Sequence, residues 1–223
     1  MVSKDDFLNI YHQGMARVAT ATPRVTVADP DANLATTMEM AKAAHDQGAA
    51  LLVCPELGLS GYAIDDLLMQ DAMLDRAETA VATLIDASAD WTPVVMVGLP
   101  VRVMGRLYNV AAVIHNAALL GIVPKTYLPN YREFYERRHF ASGADARVDH
   151  ATIAGHEAPF GTDLIFQAAD MPDLTLAVEI CEDVWVPTPP SSAAAMAGAA
   201  VIANLSASNV TVGKSDFRHA LCR

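Results

Sequence analysis

The chain has 223 residues, 52% of them hydrophobic, and a formal net charge of −11. That is enough apolar surface for one sizeable core and too much for a disordered tail. The negative charge leaves nothing to neutralise phosphates, which excludes a nucleic-acid partner, and the local cluster Arg132, Arg137 and Arg138 reads as a solvated loop. Three cysteines (Cys54, Cys181, Cys222) without CxxC spacing fit a reducing cytoplasm and no disulfide framework.

The start, Met1–Val2–Ser3–Lys4–Asp5–Asp6, leads into no apolar run, so no secretory signal is expected. Strand candidates follow at Ala16–Ala21, Ala49–Cys54, Val94–Gly98, Val110–His115, Leu174–Ile180 and Ala199–Leu205. Most are continuous apolar runs, the pattern of strands covered on both faces. A helix is predicted over Asp31–Gln47, closing before Gly48, and another over Ala72–Ala89, with Leu74, Ala77, Val81, Leu84 and Ile85 at helical spacing. Tyr108–His115 and Ala118–Val123 resemble a hairpin. Residues 141–163 read as a long surface excursion. The uncharged stretch Val184–Val212 opens with prolines and carries Asn204 and Asn209, so it reads as a short helix (Ser191–Ala197) and a buried strand, not a membrane span. Lys214–Phe217 looks like the cap and first turn of a helix. The sum is an α/β (α+β layered) fold, read as one domain over residues 1–223 and expected to be a fragment of a longer chain.

Three residues each sit just past a buried run: Glu56 after Ala49–Pro55, Lys125 after Ile122–Pro124, and Cys181 after Leu176–Ile180. A thiolate is a strong nucleophile, a carboxylate can take its proton, and a lysine can hold a developing oxyanion. Together they have the parts for acyl transfer from an amide. Composition and spacing also admit an inert buried thiol, a helix-capping acid and a solvated loop lysine. Cys54, inside a strand, reads as inert. The seven histidines are scattered, so no metal site is expected.

The local wording is more specific. Pro55–Glu56–Leu57–Gly58–Leu59–Ser60–Gly61–Tyr62, Pro124–Lys125–Thr126–Tyr127–Leu128–Pro129 and Ile180–Cys181–Glu182–Asp183–Val184–Trp185 resemble the nitrilase (carbon–nitrogen hydrolase) superfamily, in its order Glu, Lys, Cys. With Tyr62–Leu67 and Leu128–Phe140, they resemble the glutaminase domain of glutamine-dependent NAD+ synthetases. That resemblance implies a four-layer α–β–β–α sandwich, truncated at its C-terminal strands. It implies hydrolysis of L-glutamine through a cysteine thioester, with ammonia passed to an ATP-dependent synthetase domain. It makes Glu56 the general base, Lys125 the oxyanion stabiliser, Cys181 the nucleophile and Glu133 the glutamate that orients Lys125. Tyr131, Ser208 and Lys214 would hold glutamine, and Tyr62, Phe134 and Glu182 would line the same pocket. No cofactor is implied for this domain; ATP, Mg2+ and deamido-NAD+ would belong to the synthetase domain. A cytoplasmic homo-oligomer with no membrane partner is expected. A stand-alone amidase and a catalytically silent assembly module are the alternative readings.

Overall fold

The computed structural model describes residues 8–222, so the Met1–Asp6 start lies outside the described residues. Five strands form the larger sheet in the order β1 (Val18–Thr20), β2 (Leu51–Val53), β3 (Val94–Val103), β4 (Arg106–His115) and β5 (Ala118–Pro124). β1, β2 and β3 run parallel. Parallel neighbours need crossovers, which helices α1 (Pro30–Asp46) and α2 (Asp71–Ala87) supply. In α1 the Asp29 side chain accepts from the Ala32 N–H and Pro30 opens the first turn.

From β3 to β5 the sheet is antiparallel. The expected hairpin is present, and a second joins β3 to β4. Their turns are built on Met104–Gly105 and Asn116–Ala117, all at positive φ. Two consecutive positive-φ residues match the right-handed strand twist, as in type I′ turns.

A second sheet holds β8 (Ile165–Gln167), β9 (Thr175–Ile180) and β10 (Val201–Leu205) in the order β10-β9-β8. β9 and β10 are parallel and joined through helix α3 (Pro190–Met196), while β8 is antiparallel to β9.

The sheets pack face to face. Leu51, Met96, Ala111, Val113 and Val123 of the larger meet Leu176, Val178, Ile180, Ala203 and Leu205 of the smaller. On the other face of the larger sheet, Val97, Leu99, Val101, Ala112 and Ile114 meet Ala80, Val81, Leu84 and Ile85 of α2. Ala41 and Ala44 of α1 pack with Leu52, Cys54 and Val95. With α3 against the outside of β9, the layers are α–β–β–α. The central strands are buried on both sides, and that is why they read as unbroken apolar runs.

The surface excursion expected over 141–163 is corrected. It contains a hairpin, β6 (His150–Ile153) with β7 (His156–Pro159), whose Ala151, Ile153 and Ala158 are buried in the α2-side core, as is Phe160 just after it. Apolar residues there alternate with His, Thr and Glu, so one buried face of a short ribbon passes for a polar segment.

Residues 184–212 resolve into the end of a 3-10 turn (Cys181–Trp185), α3 and β10. Among the described residues no helix is long and apolar enough to cross a membrane. The helix begun at Lys214 runs as α4 (Lys214–Leu221), preceded by Gly213 at φ 79°. Its Phe217 stacks on Trp185 with ring centroids 5.4 Å apart.

Candidate active site

Glu56 follows β2 in a turn pressed against β3. A Cβ at Gly98 would lie 2.4 Å from the Leu57 N and 2.6 Å from the Pro55 O, so only glycine admits the turn. Lys125 follows β5 directly, and its backbone N–H donates to the Asn109 O at 2.8 Å. Cys181 follows β9 and opens the 3-10 turn with φ at 49°. A non-glycine residue in the left-handed region stores about 1–3 kcal/mol of strain, and such strain clusters at functional sites. Here it swings Cys181 off the strand toward the other two.

Lys125 is fully buried between two carboxylates: its Nζ donates to Glu56 Oε1 at 2.6 Å and to Glu136 Oε1 at 2.7 Å. Asn109 Nδ2 donates to Glu56 Oε1 at 2.8 Å, and the Ala207 N–H to Glu56 Oε2 at 3.0 Å. Tyr62 donates its hydroxyl proton to Glu136 Oε1 at 2.6 Å. Both Glu56 oxygens are thus held, while Glu136 Oε2 is buried without a hydrogen-bond partner.

The electrostatics follow from this burial. Burial works to pull the Lys125 ammonium down, but Glu56 and Glu136 together outweigh it and the net shift is upward. Burial pushes the Glu136 carboxyl up to about 7, against the pull of Lys125. Burial pushes the Cys181 thiol up to about 12, Glu56 adds to the rise and Lys125 opposes it. The thiol is therefore protonated, and Glu56, near enough to raise it, is the candidate base for its proton. Cys54 is also raised to about 12, but by burial alone, with no base beside it.

A cavity of about 310 Å³ opens over Cys181. Its lining includes all six residues expected in a substrate pocket: Tyr62, Tyr131, Phe134, Glu182, Ser208 and Lys214. Tyr131 donates to Glu182, 3.0 Å from each carboxylate oxygen. Lys214 Nζ donates to Ser208 Oγ at 2.6 Å and to Asn209 Oδ1, and stands 5.1 Å over the Trp185 ring. One anionic side chain, Glu182, and two cationic ones, Lys214 and Arg132, thus line a single small pocket. A larger cavity, about 470 Å³, lies between α3 and β9, and none of Glu56, Lys125 or Cys181 lines it.

Glu133 is not where the sequence reading puts it. It is exposed and accepts from Asn209 at the surface. The carboxylate on Lys125 belongs to Glu136, eleven residues after the lysine, where the Pro129 O holds its N–H and turns it inward. The sequence reading also missed Asn109, the Ala207 N–H and Asp183. Asn109 stands inside an apolar strand, a signal that could have marked it; a backbone N–H leaves none.

Residues 16–221 match the family described as carbon-nitrogen hydrolase, and the chain belongs to that family. Within it, the chain is similar to the glutamine-dependent NAD(+) synthetase of Mycobacterium tuberculosis, 53% identical over 218 residues, 98% of this chain and 32% of that protein. The synthetase of the same description from Aquifex aeolicus is 31% identical over 94% of this chain and 33% of its own length. Among solved structures, a glutamine-dependent NAD(+) synthetase from Cytophaga hutchinsonii superposes with a TM-score of 0.75 at 28% identity, covering 92% of this chain and 33% of that one. An amidase from Nesterenkonia shares the fold, with a TM-score of 0.68 at 20% identity over 90% of this chain and 68% of its own. The chain spans about a third of the length of the curated relatives it matches.

Proposed function

We propose that this chain is the glutamine-hydrolysing part of a glutamine-dependent NAD+ synthetase. The observation that carries the reading is the cavity over Cys181, whose lining includes both the Glu182 carboxylate and the Lys214 ammonium. An α-amino acid offers an ammonium and a carboxylate to that pair, and its side-chain amide then points to the thiol. The likeness to the Mycobacterium tuberculosis synthetase over 98% of the chain supports the same substrate.

In this mechanism Glu56 takes the proton of Cys181 as Sγ attacks the amide carbon. Lys125 and a backbone N–H beside the nucleophile stabilise the oxyanion, and Glu136 keeps Lys125 in line. Glu56 then protonates the departing ammonia, leaving a γ-glutamyl thioester. Water activated by Glu56 releases glutamate. Ser208, Tyr131, Tyr62 and Phe134 orient the substrate. No cofactor is required for this half; ATP, Mg2+ and deamido-NAD+ belong to the synthetase portion that consumes the ammonia. A reactive thiol suits a cytoplasmic setting, and a homo-oligomer is the expected assembly.

The test is Cys181→Ala in the full-length protein. Glutamine hydrolysis should be lost while NAD+ synthesis fed with free ammonia continues. Persisting glutamine hydrolysis would exclude Cys181 as the nucleophile.

A further inference from the structure

Lys125 and Cys181 are carried by different sheets: Lys125 follows β5 of the larger, and Cys181 follows β9 of the smaller. Apolar side chains fill the space between those sheets, and apolar contacts set spacing loosely. We infer that Asp183 is the positioning residue that fixes Lys125 against Cys181, by binding the backbone of both segments at once.

The geometry is specific. Asp183 is 1% exposed. Its Oδ1 accepts the Tyr127 N–H at 2.7 Å and the Thr126 N–H at 3.2 Å, and its Oδ2 accepts the Ile180 N–H at 3.0 Å. Thr126 and Tyr127 are the two residues after Lys125; Ile180 is the residue before Cys181. An acid that merely steadied its own 3-10 turn would need only the Ile180 bond. The other two reach across to the segment that follows β5 of the larger sheet, and both fall next to Lys125. A carboxylate suits the place because it is acceptor-only, whereas an asparagine would turn N–H donors toward N–H donors. Burial pushes the carboxyl up to about 6, with the three N–H groups pulling it back, so it is ionised at neutral pH.

The inference rests on the reading of Lys125 and Cys181 given above, so its test avoids glutamine. The readout is alkylation of Cys181 by iodoacetamide, followed by peptide mass in the full-length protein at pH 8. It is run at a temperature below the melting transition of every variant used. Lys125 favours the thiolate, so Lys125→Met should slow alkylation roughly tenfold. Asp183→Asn should slow it at least about threefold when Lys125 is present, and less than about 1.5-fold in the Lys125→Met background, because the residue acts through the lysine. Equal factors in both backgrounds, no slowing, or a faster rate would overturn it. If Asp183→Asn does not fold, Asp183→Ser, smaller and still an acceptor, takes its place in the cycle. Failure of both to fold would also count against it, since a positioning residue leaves the fold standing. Loss of glutaminase activity alone bears on the proposed function and not on this coupling.

Discussion

Replacing Lys125 by methionine tests the buried triad most directly. Its Nζ lies 2.6 Å from one carboxylate and 2.7 Å from another, with all three groups buried. Removing one partner of a buried ion pair costs about 3–5 kcal/mol, and here two carboxylates lose their cation. Glu136 gives the loss a pH signature. Its folded-state carboxyl is raised from 4.5 to about 7, worth about 3 kcal/mol between protonation states. A raised acid binds its proton more tightly when folded, so its cost is absent below 4.5 and builds as pH rises through about 7. Without Lys125 opposing it, the rise extends further upward. Lys125→Met should therefore be about 3–5 kcal/mol less stable than wild type at pH 8, with much of the deficit gone at pH 5.5. Urea unfolding at the two pH values, read by tryptophan fluorescence, measures this. Adding Glu136→Gln should restore part of the loss at pH 8 and flatten the pH dependence. A deficit under about 1 kcal/mol at pH 8, or the same deficit at both pH values, would refute the reasoning.

Glu133→Gln should leave glutamine turnover within about twofold, whereas Glu136→Gln should lower kcat at least about tenfold, by misplacing an oxyanion donor; steady-state kinetics on both decide which glutamate serves Lys125. Gly98→Ala should cost about 1–3 kcal/mol and depress turnover, because its Cβ meets the backbone of the Glu56 turn, and a thermal melt with an activity assay checks both. A thiol-directed glutamine analogue should add its mass to the Cys181 peptide and not to Cys54. The two thiols share a pKa of about 12, so an adduct on Cys54 would show that the adjacent base is not what confers reactivity.

Much of the fold was legible because its central strands are buried on both faces and its long helices carry regular stripes. Val94–Gly98 marked β3 but not its length, since Pro100 and Arg102 break the apolar run while the backbone continues in the sheet. The β6–β7 ribbon was hidden because only its Ala and Ile residues face the core. At the site, Glu56, Lys125 and Cys181 each end an apolar run, and that boundary is visible in a sequence. The choice between Glu133 and Glu136 is not. Both lie in one polar stretch, and which of them turns inward depends on the hydrogen bond from the Glu136 N–H to the Pro129 O.

The Ala207 N–H on Glu56 has a further consequence. Ala207 precedes Ser208 and Asn209, the two side chains on which the Lys214 ammonium rests. Glu56, the proposed general base, is therefore tethered to the segment that would greet the far end of the substrate. On the proposed function, a ligand that lacks the α-carboxylate does more than bind weakly. It leaves that segment unset, and with it the orientation of the carboxylate that must accept the thiol proton. Discrimination against short amides would then be written into the rate of bond making, with the binding constant carrying little of it.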